Sequence, residues 1–236
     1  MAAPSRYNKV LSDHKWQAAF GRQNTIEEVL TYLVQHWHER QKHPPKDMLF
    51  SSSEPKITRF FCVSLRKNAE RHGITGNFTP EAPLADFDEE TLELYAQGRA
   101  DIEYFSNETS PAISLIFEFK KMKSTKAGAQ RARMDYFKSG VTRFVNARYA
   151  RDSDLGFMIG LVDNASNQTA VLDGLKRAIQ VPDMVLHLRM IKNPSGSAID
   201  TAGLVFSHSA FETRHARDHV PRPDVLLGHL LLAHEI

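Results

Sequence analysis

In the segment Ile113-Ser-Leu-Ile-Phe-Glu-Phe-Lys120, a carboxylate and an ammonium stand two residues apart in an otherwise apolar run. On a strand alternate side chains share a face, so Ile113, Leu115, Phe117 and Phe119 point one way and Glu118 and Lys120 the other. Desolvating part of a charged pair is costly, so the pair calls for a structural or functional reason. Asp101 lies seventeen residues before Glu118, in a second strand-like stretch, Ala100 to Phe105. If the two stretches pair through the polar turn Asn107 to Pro111, Asp101 comes close to Glu118. Two carboxylates, with water and phosphate oxygens, make a shell suited to Mg²⁺ or Mn²⁺. A cation held there polarises a phosphodiester and lowers the pKa of a coordinated water. An adjacent Lys120 orients that water or offsets charge in the transition state.

An Asp on one strand followed by Glu118-Phe119-Lys120 on the next resembles the PD-(D/E)XK nuclease superfamily, which includes restriction endonucleases and Holliday-junction resolvases. The resemblance spans roughly Glu54 to Val162, and it departs from the name pattern at Ala100, which stands where the proline would be. It implies a restriction-endonuclease-like αβββαβ core, with Asp101 on the second strand and Glu118 and Lys120 on the third. Asp101 and Glu118 would hold Mg (or Mn) and Lys120 would be catalytic. A further acid from the helix before the sheet is implied too. Glu54, in Ser-Ser-Ser-Glu54-Pro, fits best as a metal ligand and catalytic group, with Glu27 and Glu28 as alternatives. An ordinary first-turn acid favoured by the helix dipole is the plain reading of Glu54. Gln130 matches a helical glutamine seen in some members, and Glu103 shares a face with Asp101. Lys121, Lys123, Lys126, Arg131 and Arg133 are expected near the mouth as nucleic-acid contacts, where phosphate binding gives affinity without sequence preference.

The elements that must position these groups follow from periodicity and punctuation. Ile26, Val29, Leu30, Leu33, Val34 and Trp37 recur at helical spacing, which predicts a helix over 25–41 ended by His43-Pro44-Pro45. A second helix is expected from Pro55 to His72, with Ser53 as cap and Gly73 after its end. Residues 73–90, rich in Gly, Pro and acids, read as loop. Strands are expected at 92–95, 100–105, 113–119, 141–149, 156–162 and 184–190, and helices at 126–139 (closed by Gly140), 171–179 and 224–233. Helices, then strands, then helix and strand predict an α/β fold with a mixed central sheet flanked by helices. The expected organisation is an N-terminal helical segment (1–50), a nuclease-like core (51–165) and a C-terminal extension packed on that core (166–236).

The 236 residues suffice for one sizeable core. No run of roughly 18 apolar residues occurs, so no membrane partner is expected. The first nine residues lack the apolar stretch of a secretory signal, and a cytoplasmic location is expected. A single cysteine excludes an internal disulfide, and Cys62, among Phe60, Phe61, Val63 and Leu65, reads as a core thiol. His36 and His38 face different ways on a helix, and His208, His215 and His219 lack a partner set, so no zinc site is expected. No P-loop and no G-x-S-x-G elbow is present. Net charge is only +2, yet 120–151 carries ten Lys or Arg against one acid, Asp135, and 81–93 carries six acids and no base. A basic face beside a candidate site is what a polyanion would feel.

The expected function is therefore a metal-dependent nuclease, DNA favoured over RNA as substrate, forming the nuclease part of a prokaryotic defence or DNA-processing system. Partners would be nucleic acid together with a second copy or an ATPase or helicase subunit. The alternatives are an inactive nucleic-acid-binding or assembly subunit of the same fold, or an interaction protein whose terminal apolar segment docks a partner.

Overall fold

The computed structural model describes residues 13–87, 94–109, 111–124, 126–218 and 220–235. Helix α1 runs from Asp13 to Gln41 and α2 from Glu54 to Asn68. Pro55 stands at the start of α2, where its missing N–H is harmless. Ser53 occupies the cap position with extended backbone but makes no capping hydrogen bond through its side chain. Gly73 closes the segment in the left-handed region.

Strand β1 (Asn77–Phe87) lies in the stretch expected to be a loop. It is the sheet's edge, where Pro80 and Pro83 need not donate to a neighbour on one side. Residues 88–93 lie outside the described residues, so the part of the expected 92–95 strand at Leu92 and Glu93 does too. From Leu94 the chain runs unbroken to Ser106 as β2. Strand β3 (Ile113–Met122) contains the Glu118–Lys120 pair, as expected.

Helix α3 (Lys126–Asp135) does not stop at Gly140. It passes through a π-helical turn, Tyr136–Val141, into α4 (Thr142–Val145), where a strand was expected. Gly140 is needed here for close approach, because a Cβ would stand 2.4 Å from Cε of Met158 and 3.7 Å from Cγ of Lys120. After β4 (Leu155–Val162) come α5 (Gln168–Ile179) and α6 (Pro182–His187). The expected strand at 184–190 is thus mostly helix, with only a two-residue β5, Met190–Ile191, after it. Strands β6 (Phe211–Ala216) and β7 (Asp224–Ala233) complete the chain. The last of these was expected to be a helix, and β6 was not foreseen.

The seven strands form one mixed sheet in the order β1-β2-β3-β4-β7-β6-β5. β1, β2 and β3 are antiparallel, β3-β4 and β4-β7 parallel, and β7, β6 and β5 antiparallel again. On one face, α1 and α2 bury Trp37, Ile57, Phe61 and Leu65 against Leu115, Phe117, Phe119, Ile159 and Leu230. On the other, α3 to α6 bury Tyr136, Phe137, Phe144 and Leu175 against Ile116, Met158, Val162 and Leu227. Both faces being covered, the fold is a helix–sheet–helix sandwich. Cys62 is fully buried, as its apolar neighbours predicted.

A buried polar chain pins the π-turn to the sheet. His215 Nδ1 lies 2.7 Å from the Leu188 carbonyl, which can only accept, so this nitrogen carries the proton. His215 Nε2 then accepts from Thr213 Oγ1 (2.7 Å), which in turn accepts from His229 Nε2 (2.8 Å). His229 Nδ1 is left to accept from the Tyr136 hydroxyl at 3.0 Å. Burial disfavours the charged form of both imidazoles, and the Tyr136 hydroxyl has the Met158 carbonyl at 3.4 Å as a second acceptor for its one proton.

One residue in β1 departs from ordinary strand geometry. Glu81 has φ 47° and falls between the pairs Pro80–Ile102 and Ala82–Ala100, opposite Asp101. Its carboxylate pairs with Arg59 (2.6 Å) and Arg99 (3.7 Å), both of them exposed. A left-handed non-glycine residue costs about 1–2 kcal/mol, and exposed ion pairs return about 0–1 kcal/mol each. Glu81→Gly is therefore expected to change unfolding stability by less than about 1 kcal/mol in denaturant titration. A larger loss would show that the two arginines depend on Glu81 for more than surface pairing.

Candidate functional site

β2 and β3 pair only from Ile102–Phe117 to Ser106–Ile113, and beyond that point β3 pairs with β4 alone. Asp101 is the first residue past the split. Its Oδ2 accepts the backbone N–H of Phe119 at 2.8 Å, so a side chain takes the place of a ladder bond. By register Asp101 falls opposite Glu118, as the pairing expectation required.

The Glu118 side chain is fully buried. Its two oxygens are used unequally. Oε1 accepts from Lys120 Nζ at 2.6 Å and from Arg143 Nη1 at 2.8 Å. Oε2 is buried and has no hydrogen-bond partner among the described residues. Lys120 Nζ also donates to the Phe119 carbonyl (2.9 Å) and to Glu54 Oε1 (3.2 Å). Glu54 Oε2 accepts the backbone N–H of Lys121 at 2.9 Å, so the start of α2 is tied to the end of β3. The alternatives to Glu54 lie elsewhere: Glu27 holds Ser207 through its backbone N–H and hydroxyl, and Glu28 lines a surface cleft with Tyr32 and His72.

Burial pushes the Asp101 carboxyl far above the usual range, to about 7, and the neighbouring Glu118 charge adds to the shift against the pull of Lys120. Burial alone would lower the Lys120 ammonium, but Glu118, Glu54 and Asp101 outweigh it and raise its pKa. A carboxyl group pushed up by a neighbouring carboxylate is an electrostatic strain that a bound cation would relieve. The unpartnered Glu118 Oε2 is likewise what a metal ligand looks like without its metal. On these two observations, Asp101 and Glu118 fit a hard divalent cation. Among the described residues no set of three His, Cys, Asp or Glu side chains forms a ready-made cage, so water or substrate oxygens would have to complete the shell.

Two members of the site were not foreseen. Arg143 was counted within the basic run, and Tyr149 was read as a strand residue. Arg143 Nη1 also donates to the Tyr149 hydroxyl at 2.6 Å, and its guanidinium lies 5.4 Å from the centre of that ring. The Tyr149 hydroxyl donates to the Arg99 carbonyl, which lies two residues before Asp101. Only the helical path through the π-turn brings Arg143 back over Glu118. Reading 141–149 as a strand hid it.

The expected nucleic-acid contacts are dispersed. Lys121 Nζ is held by the carbonyls of Phe50 and Ser52 and lies over the Phe50 ring, which makes it a clamp on the loop before α2. Lys123 is exposed just past β3, and Lys126 opens α3. Arg131 is exposed and faces Asp135 at 3.9 Å. Arg133 packs against Gly174 of α5, and Gln130 lines a cleft with it, Met184 and His187. Glu103 accepts from the Ser114 hydroxyl at 2.9 Å, away from the split. No helix among the described residues is long and apolar enough to cross a membrane. Comparison with protein-family models, curated proteins and solved structures finds no match to this chain.

Proposed function

We propose that this chain is a Mg²⁺- or Mn²⁺-dependent phosphodiesterase acting on nucleic acid, with DNA favoured over RNA. The observation that carries the reading is Glu118: one oxygen is held by two cations while the other is buried and unpartnered, opposite a carboxyl whose pKa is raised to about 7. The succession α2, β1, β2, β3, α3, β4, with Asp101 on the second strand and Glu118 and Lys120 on the third, supports the restriction-endonuclease-like assignment.

Asp101 and Glu118 Oε2 would hold the cation, with Glu54 anchoring Lys120 and, when released from it, available as a further ligand. A divalent ion there supplies Lewis acidity toward phosphate and a coordinated water of lowered pKa. Lys120, its three protons taken by Glu118, Glu54 and a backbone carbonyl, would act through its charge, offsetting through space the charge gained by the phosphate oxygen. Because Asp101, Glu118 and Lys120 sit on strands of a doubly covered sheet, their geometry would be set before substrate arrives. These 236 residues contain no P-loop, so any motor activity in a defence or DNA-processing assembly would come from outside this segment.

Plasmid cleavage in Mg²⁺ or Mn²⁺ tests this. Wild-type protein is expected to cut, and Glu118→Gln and Asp101→Asn are each expected to lower the rate by at least about 10²-fold. Cutting at the wild-type rate by both variants would place the chemistry elsewhere. Salt-sensitive DNA binding with no cleavage would favour an inactive binding subunit.

A further inference from the structure

Glu118 divides its oxygens between two kinds of charge. Lys120 and Arg143 both sit on Oε1, although Oε2 is buried without a partner among the described residues. Lys120 is spent: its side chain is only 12% exposed and its protons go to two carboxylates and a carbonyl. Arg143 differs, because 39% of its side chain remains exposed. Its contacts to Glu118 and Tyr149 both go through Nη1. A guanidinium has five donors in a planar fork that matches two phosphate oxygens. The edge formed by Nη2 and Nε therefore lies within one guanidinium width of the carboxylate that would hold the metal, and it makes no hydrogen bond among the described residues.

We propose that Arg143 is a substrate-contacting residue that grips a non-bridging oxygen of the phosphodiester. Its hold on Glu118 is that of a counter-ion in the metal-free site. The proposal rests on the nuclease reading and adds the group that recognises the phosphate. Tyr149, anchored on the Arg99 carbonyl and lying under the guanidinium, keeps the fork aimed when a divalent ion takes over the neutralisation of Glu118. A residue that merely supported Glu118 would behave differently, because removing it would weaken the metal site itself.

Mn²⁺ titration calorimetry and binding of a short DNA duplex in Ca²⁺ separate the two roles, using Arg143→Ala and Arg143→Lys. Arg143→Ala is expected to bind Mn²⁺ as tightly as wild type or up to about fivefold tighter, since a neighbouring positive charge is gone. Its duplex affinity is expected to fall about tenfold or more. Arg143→Lys keeps the counter-ion and should fold like wild type, yet is expected to recover less than half of that loss, because an ammonium lacks the fork. Unchanged duplex affinity in either variant overturns the proposal, as does a fall in Mn²⁺ affinity that accounts for the loss of duplex binding. Wild-type protein that binds neither Mn²⁺ nor duplex removes the nuclease reading and this inference with it.

Discussion

Replacing Lys120 with methionine is expected to destabilise the metal-free protein by about 3 kcal/mol, the lower end for breaking a buried ion pair, because Arg143 stays on Glu118. The lysine is the common neighbour of Glu118 and Glu54, and its charge also lowers Asp101. Without it, Glu118 keeps a single cation in a fully buried position, and Asp101 loses the charge that holds it down. The Asp101 pKa, already about 7, then rises further. The penalty should therefore be larger at pH 9 than at pH 6, where Asp101 takes up a proton. Adding Mn²⁺ should restore most of the loss by binding the native state alone. Combining Lys120→Met with Glu118→Gln should do the same without metal, because the stranded charge is gone. Denaturant unfolding at both pH values, with and without Mn²⁺, measures all of these. A loss below about 1 kcal/mol at both pH values would mean that Lys120 does not hold the carboxylates together.

The second large effect is acid unfolding. His36, His215 and His234 are buried and pushed down to about 4 by desolvation, and desolvation also drives His229 well below its ordinary value. An unfolded histidine takes its proton near about 6.5. Between those values the unfolded chain binds more protons than the native one, so stability falls as pH drops. Each of the three contributes roughly 3 kcal/mol over that window as an upper figure. Asp101 works the other way. Its native pKa of about 7 lies above the unfolded value, so acid favours the native state through this one group, by at most about 4 kcal/mol. The histidines win by about two to one, and their sum is comparable with a domain's whole stability of about 5–15 kcal/mol. After the opposing effect of Asp101 the net loss is at most about 5 kcal/mol, the lower end of that range, so stability is expected to fall steeply between about pH 6 and 4. His36→Gln is expected to make the pH slope shallower in a thermal series. A melting temperature that stays level down to pH 4 would contradict the assignment of neutral, buried imidazoles.

Strand β3 was legible because one of its faces is purely apolar and the other breaks the pattern with two charges. The errors have equally local causes. β7 lies in the sheet interior beside β4, with both faces covered, so Val225 to Leu232 shows no alternation, and its leucines imitate a helix. β1 was lost to Pro80 and Pro83, which an edge strand tolerates. Gly140 read as a helix stop, but its missing side chain serves contact with Met158. Asp101, Glu118 and Lys120 were legible because they sit within one strand and its neighbour. Arg143 and Tyr149 were not, because a π-turn shifts the helical phase in a way that periodicity cannot anticipate.

Glu54, Asp101 and Glu118 carry three negative charges when ionised, and Lys120 and Arg143 carry two positive ones. The bare constellation is one unit short of neutral. A single divalent ion overshoots to one unit positive, and a phosphodiester, with its one negative charge, brings the sum to zero. On the proposed reading, cation and substrate would each be the other's counterpart, and either one alone would leave an imbalance in a poorly solvated place. Whatever factor the ion adds to substrate affinity, substrate must add to the ion's.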